Sequence, residues 1–173
     1  MFDQLLSIAT DATAIAAGSQ APAAYAHWGA NALVVGCTLL LVVGCVLLHY
    51  VGLDWTWRLL DPSRAVRHHR RVLYGILAAL TLHIAQIWLF GLGYWALAHW
   101  PQTGHIEGAE PLALLDAVYL SAACFTTVGF GDLAPKGALR FMAGTESLTG
   151  FLLITWSASF TFLEMDRFWR RLG

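Results

Sequence analysis

Apolar and polar positions alternate along this chain on the scale of whole segments. Residues 31–53 and 72–98 hold no formally charged side chain, and 139–163 holds only Arg140 and Glu146. At about 1.5 Å per residue, each run is long enough to cross about 30 Å of hydrocarbon as a helix. The second exceeds what a bilayer needs and should tilt or project. A fourth apolar run, "LALLDAVYLSAACF" at 112–125, makes a helix of only about 20 Å, too short to cross. Around these runs lie an Ala-rich N-terminal segment (1–30), a polar linker at 54–71 interrupted by Pro62, a polar loop at 99–112 and a tail at 164–173. The expected class is all-α: three spanning helices and one short helix.

Composition makes lipid the solvent. The chain is 58% hydrophobic and 12% charged, against about 45–50% and about 25% in a soluble domain. A soluble fold of this size has too little interior for that apolar surface. Trp28 precedes the first span and Trp55 and Trp57 follow it, as an aromatic belt requires. Within that span "LVVGC" occurs twice, with Gly36 and Gly44 eight residues apart. That is roughly 80° out of phase on a helix, so the repeat reads as lipid-facing composition. Cys37, Cys45 and Cys124 show neither metal-ligand nor disulfide spacing and read as small buried hydrophobes. "AYA" at 24–26 resembles a cleavage box, but no basic region opens the chain and Asp11 interrupts the apolar run. Residues 1–30 therefore read as an external segment resting at the membrane face.

Charge orients the spans. Formal net charge is −1, which gives no global attraction for nucleic acid. Five of ten basic residues fall in 54–71, three more (Arg167, Arg170, Arg171) in the tail, and only Lys136 and Arg140 near the opposite face. The positive-inside rule then sets the N-terminus outside, 54–71 and the tail in the cytoplasm, and 99–138 outside, in a multi-pass protein of the plasma (inner) membrane. A segment that begins and ends outside, yet contains the apolar helix 112–125, must dip into the membrane and return.

That helix runs into "TTVGFGD" (126–132). Irregular backbone at membrane depth is tolerated only where it is buried in protein or lines water. Gly129 and Gly131 reach positive φ without steric cost, whereas Val128 and Phe130 do not. Alternating the two kinds lets successive carbonyls turn to one side, with the Thr127 hydroxyl at the inner end. Four copies around an axis would form rings of oxygens able to replace a cation's water shell. The C-terminal end of the preceding helix would favour a cation in the cavity below.

The motif resembles the selectivity filter of potassium channels, and the region 72–163 resembles the prokaryotic two-helix pore-loop superfamily, here with one extra N-terminal span (31–53). The resemblance implies an outer helix at 72–98, a pore helix at 112–125, a filter at 127–131 and an inner helix at 139–163. It implies a homotetramer, formed with three further copies in the lipid bilayer, that conducts K+ passively. Thr127, Val128, Gly129, Phe130 and Gly131 would coordinate the permeant K+; no other cofactor is implied. Phe130 stands where tyrosine is more usual. Asp132 matches the acid outside the filter, and Tyr119 occupies the position of its aromatic donor, implying a Tyr119–Asp132 hydrogen bond. Ala123 falls where some bacterial members carry a buried glutamate, so a more plastic, faster-inactivating filter is expected. Gly150, in "TESLTGF", is the expected inner-helix hinge, with Gly144 as rival and close packing as the alternative reason for a glycine. Phe151, Ile154, Ala158 and Phe162 share one helical face and either line the cavity and gate or pack on a neighbouring helix.

Lone polar residues in the spans need partners. Glu146 lies at the depth of the filter base, where a carboxylate either supports the filter and cavity or is satisfied by Ser and Thr neighbours. His83 and Gln86, one turn apart, should hydrogen-bond across to the first or third span. His99, His105, Glu107 and Glu110 form an outer rim that can concentrate cations or hold a transition metal. His68 and His69 are interfacial anchors or proton sensors.

Other readings are a non-selective or non-conducting pore subunit and a subunit of a potassium uptake transporter. Such transporters usually carry four pore loops in one chain, where this chain has one. A haem enzyme using His49 and His83 and a binding-only scaffold are further alternatives; no catalytic residue set is evident and no enzyme is expected. The first span lacks an arginine ladder, so no voltage sensor is expected. The ten residues after the last span encode no soluble regulatory domain, and the first span has no assigned role.

Overall fold

The computed structural model describes residues 27–59, 68–100 and 102–169. The "AYA" stretch, Pro62, Arg64, Arg67, Arg170 and Arg171 lie outside the described residues. Four helices follow in order: α1 (Trp28–Leu59), α2 (His68–Ala98), the short α3 (Leu114–Phe125) and α4 (Leu139–Trp169). Two two-residue strands, β1 (Ile106–Glu107) and β2 (Ala134–Pro135), form an antiparallel ribbon, the one departure from an all-α plan among the described residues.

Every long helix outruns its expected span. α1 continues from 53 to Leu59, where Arg58 and Asp54 pair at 2.8 Å one turn apart. α2 begins at His68 rather than 72, so part of the 54–71 linker is helical at both ends. α4 runs six residues past 163, drawing most of the tail into helix. Charged residues end an apolar window but do not end a helix: Arg and Lys are good helix formers, and backbone bonding continues into the interface.

α1 and the Val72–Ala98 portion of α2 are each long and apolar enough to cross a membrane. α4 matches them in length but is less apolar. Its hydroxyls explain how it still avoids loose polar groups. Ser147, Thr149, Ser159 and Thr161 each donate to the carbonyl four residues back, and Thr155 to the one three back. A hydroxyl satisfied within its own helix carries little penalty in lipid.

α3 packs chiefly against α2 and then α4, while α1 lies along both α2 and α4. The core comprises Val34 and Cys45 from α1, Phe90 and Tyr94 from α2, Leu120 and Phe125 from α3, and Met142 and Leu153 from α4. In lipid such contacts gain no hydrophobic driving force, so close packing and buried hydrogen bonds must hold the helices together. Buried polar residues accordingly sit at the seams: His49, Gln86, Ser121, Glu146 and Ser157.

Candidate functional site

α3 is set at its start by Asp116. Its carboxylate accepts from the Ala113 N–H (3.2 Å) and lies in the first turn, where the helix dipole favours negative charge. Ala117, Leu120, Ser121, Ala123 and Phe125 face inward. The helix ends because the next residues leave its conformation: φ is +59° at Thr127, +56° at Gly129 and +82° at Gly131, with Val128 and Phe130 at ordinary negative values between them. The expected alternation at the glycines is present. Thr127 extends it by one residue that sequence reasoning missed, since a β-branched residue is an outlier at positive φ.

Backbone hydrogen bonds hold this ribbon to the helix it leaves. The N–H groups of Thr126, Thr127 and Gly129 donate to the carbonyls of Ala122 (3.1 Å), Cys124 (2.9 Å) and Ala123 (3.1 Å). In a trans peptide the N–H and the preceding C=O point in opposite directions. The Thr126 and Val128 carbonyls therefore face away from the helix end. Among the described residues, no N–H or O–H of the protomer donates to any carbonyl from 126 to 131. A row of carbonyls with no donor is costly unless water or a cation meets it.

The sides of the ribbon are braced by side chains. Tyr119 donates to Asp132 Oδ2 at 2.9 Å, and its ring stacks on Phe130 with centroids 6.1 Å apart and planes 6° apart. Val128 and Phe130 are 56% and 69% exposed in the single protomer, a large contiguous apolar exposure. After Asp132, the β1–β2 ribbon joins the segment 134–135 to the loop before α3, with Ile106 opposite Pro135 and the Lys136 N–H on the His105 carbonyl at 2.8 Å.

Lys136 and Glu107 meet at 2.6 Å across that ribbon, so Glu107 of the outer rim is neutralised locally. The Lys136 ammonium, through its hydrogen bond and then its charge, holds the Glu107 carboxyl below the usual carboxylate range. A depressed carboxylate keeps its partner at neutral and mildly acid pH and loses it only as pH falls through the lowered value. An NMR titration should place the Glu107 midpoint below that of a free glutamate, and Lys136→Met should raise it.

Behind α3 lies Glu146, fully buried. Tyr94 donates to its Oε2 at 2.8 Å, and its Oε1 lies 2.5 Å from Ser121 Oγ, which is itself 2.8 Å from the Ile87 carbonyl. Ser121 has one proton, and the Ile87 carbonyl can only accept. All three contacts are satisfied together when Ser121 donates to Ile87 and a protonated Glu146 donates to Ser121. Glu146 thus ties α4 to both α2 and α3. Of the two sequence readings, its partners include a serine, but that serine belongs to α3 rather than to its own helix. Tyr94 was missed, because nothing in an apolar stretch tells which aromatic faces a residue 52 positions away.

A neutral acid sets the expected mutational order. Glu146→Gln keeps an acceptor for Tyr94 and a donor for Ser121 and should cost less than about 1 kcal/mol. Glu146→Ala strands the Tyr94 hydroxyl and leaves a void, costing about 2–4 kcal/mol. Thermal unfolding in detergent should rank wild type and Gln together, well above Ala; equal loss in both variants would contradict the protonated form.

On α4, the buried stripe is Met142, Glu146, Thr149, Gly150, Leu153 and Ser157. Phe151, Ile154, Ala158 and Phe162 all lie on exposed surface of the protomer. Gly150 lies where α4 meets the end of α3: a β-carbon there would fall 2.1 Å from the Phe125 carbonyl oxygen. That gives the glycine a packing reason, independent of any hinge. At Gly144 a β-carbon would meet nothing within 4 Å.

Gln86 hydrogen-bonds across to α1 as expected, whereas His83 bonds to Gln86 within α2 and meets α1 by ring stacking instead. Gln86 Nε2 contacts the Cys45 carbonyl and His49 Nδ1 (both 3.2 Å), its Oε1 contacts His83 Nδ1 (3.0 Å), and His49 Nε2 contacts Ser157 Oγ (3.3 Å). The two imidazoles stack with centroids 5.3 Å apart. That spacing leaves no room for a haem between them, so the pair does not make the axial ligand set of the redox reading.

Comparison with known proteins falls on the same region. The model of a family described as ion channel matches residues 76–165, more than half of the chain. Protein LctB of Geobacillus stearothermophilus is 27% identical over 119 residues, which cover 69% of this chain and 78% of that protein. No solved structure matches.

Proposed function

The chain belongs to the ion channel family whose model spans residues 76–165, and on that premise we propose that it forms a potassium-selective pore from four copies of itself. The observation that carries this reading is the 126–131 ribbon: alternating backbone hand, N–H groups turned to the helix end, and carbonyls left without a donor among the described residues. One ribbon can offer oxygens on one side of an ion only. A closed ring of four surrounds it, replacing the hydration shell by carbonyl dipoles at fixed spacing. The same ring gives Val128 and Phe130 neighbours to pack against. Thr127, Val128, Gly129, Phe130 and Gly131 bind the K+ in transit, and the Tyr119–Asp132 bond keeps the outer end of the ribbon in register.

The exposed face of α4 then turns toward the shared axis, with Phe151, Ile154, Ala158 and Phe162 along cavity and gate. The assembly sits in the plasma membrane with the N-terminus outside. The five basic residues in 54–71 support that orientation.

Purified protein in liposomes tests the proposal. Potassium should leave down its gradient, sodium should not, barium should block, and chemical cross-linking should end at a tetramer. Equal potassium and sodium flux would assign a non-selective pore instead, and a monomer that still conducts would overturn the ring.

A further inference from the structure

Where the first helix meets the pore, the hydrogen-bond pattern dictates the protonation state of a histidine. The Cys45 carbonyl can only accept, so the Gln86 atom facing it must be the amide nitrogen. That same nitrogen faces His49 Nδ1, which must therefore be the bare, accepting nitrogen. The His49 proton then lies on Nε2 and is donated to Ser157 Oγ. On the other side, Gln86 Oε1 accepts from His83 Nδ1–H. Every role follows from one backbone carbonyl, and the pattern holds only for a neutral His49. An imidazolium would direct a second N–H at the Gln86 amino group, donor against donor, and turning the amide over would set its oxygen against the Cys45 carbonyl.

The surroundings offer nothing to compensate that charge. From α1 the neighbour is Cys45; from α2, Gln86 and the stacked ring of His83; from α4, Ser157 and the tilted ring of Trp156 at 5.4 Å. From α3, Phe125 lies against His83 at 5.7 Å. Asp54, five residues further along α1, is paired with Arg58, and Glu146, eleven residues from Ser157 on α4, is already engaged by Tyr94 and Ser121. His49 is itself fully buried.

We propose that His49 is a proton-released latch: neutral, it fastens α1 to α2 and α4, and protonated, it lets α1 separate from the inner helix. The contact ends beneath the filter, because His83 touches Phe125, the last residue of α3 and the one that Gly150 presses against. Release therefore loosens the inner helix and the support of the filter base together. This consequence for conduction rests on the pore reading; the latch itself does not.

The test uses the full chain in nanodiscs and reads no current. Nitrogen-15 NMR of labelled histidine should show His49 at neutral pH with a bare Nδ1 and a protonated Nε2. Gln86→Glu supplies a carboxylate that accepts from Nδ1–H, so the His49 midpoint should rise by about 1–3 pH units. Spin labels at positions 59 and 163, in a background free of other cysteines, should move apart only on acidification below the ordinary histidine range of about 6.5, and should not in His49→Phe. A charged or Nδ1-protonated His49 at neutral pH, an unmoved midpoint in Gln86→Glu, or a separation that persists in His49→Phe would each overturn the latch. If the labels separate as expected in protein that passes no ion at any pH, the latch stands and the pore reading falls.

Discussion

Gly129→Ala is expected to abolish potassium flux from proteoliposomes while leaving the protein folded. A β-carbon at 129 meets nothing within 4 Å in the protomer, so collision is not the reason. The backbone is: φ of +56° is the left-handed region, where an L-residue costs about 1–2 kcal/mol. In the proposed ring of four the strain would be felt four times, about 4–8 kcal/mol per assembly, and the ribbon can escape it by turning a peptide over. Such a flip takes a carbonyl away from the axis and brings an N–H toward it, a donor where a cation needs oxygen. Flux should fall by at least a hundredfold, and thermal stability should change little, because the flip relieves the strain without disturbing the packing of the helices. Residual potassium flux within tenfold of wild type would show that these carbonyls do not carry the ion.

Gly150→Ala should act in the opposite way, through stability first. The added carbon would lie 2.1 Å from the Phe125 oxygen, 2.8 Å from its carbonyl carbon and 2.9 Å from its Cα. These are backbone atoms at the end of a packed helix, so α4 itself must move by more than an ångström. Overpacking costs about 1–3 kcal/mol where side chains can adjust, and more where they cannot; about 3 kcal/mol or more is expected here. Phe125 adjoins Thr126, so flux should drop at least tenfold as well. Gly144→Ala, in open space, should leave both unchanged. Normal melting with altered gating in Gly150→Ala would favour the hinge over the packing reading.

Several features were legible from residue order because their causes are local. Length and apolarity mark the long apolar helices and the short one that ends at Phe125, and positive φ at Gly129 and Gly131 follows from their lacking a β-carbon. Tyr119 and Asp132 are thirteen residues apart on either side of a single turn, and the resemblance implied their contact before the coordinates did. Helix ends were read less well, since the hydropathy window closes at the first charges while backbone hydrogen bonding does not.

By itself, then, the amino-acid order determined the class, the crossings and the glycine-spaced ribbon, because each follows from solvent, length and local backbone freedom. Tertiary structure decided which distant polar groups meet: Tyr94 with Glu146, Gln86 with Cys45 and His49, His49 with Ser157, and the Phe125 carbonyl against Gly150. Those pairings depend on the rotation and depth of each helix against its neighbours. In lipid, uniformly apolar flanks leave that rotation unmarked until the helices pack.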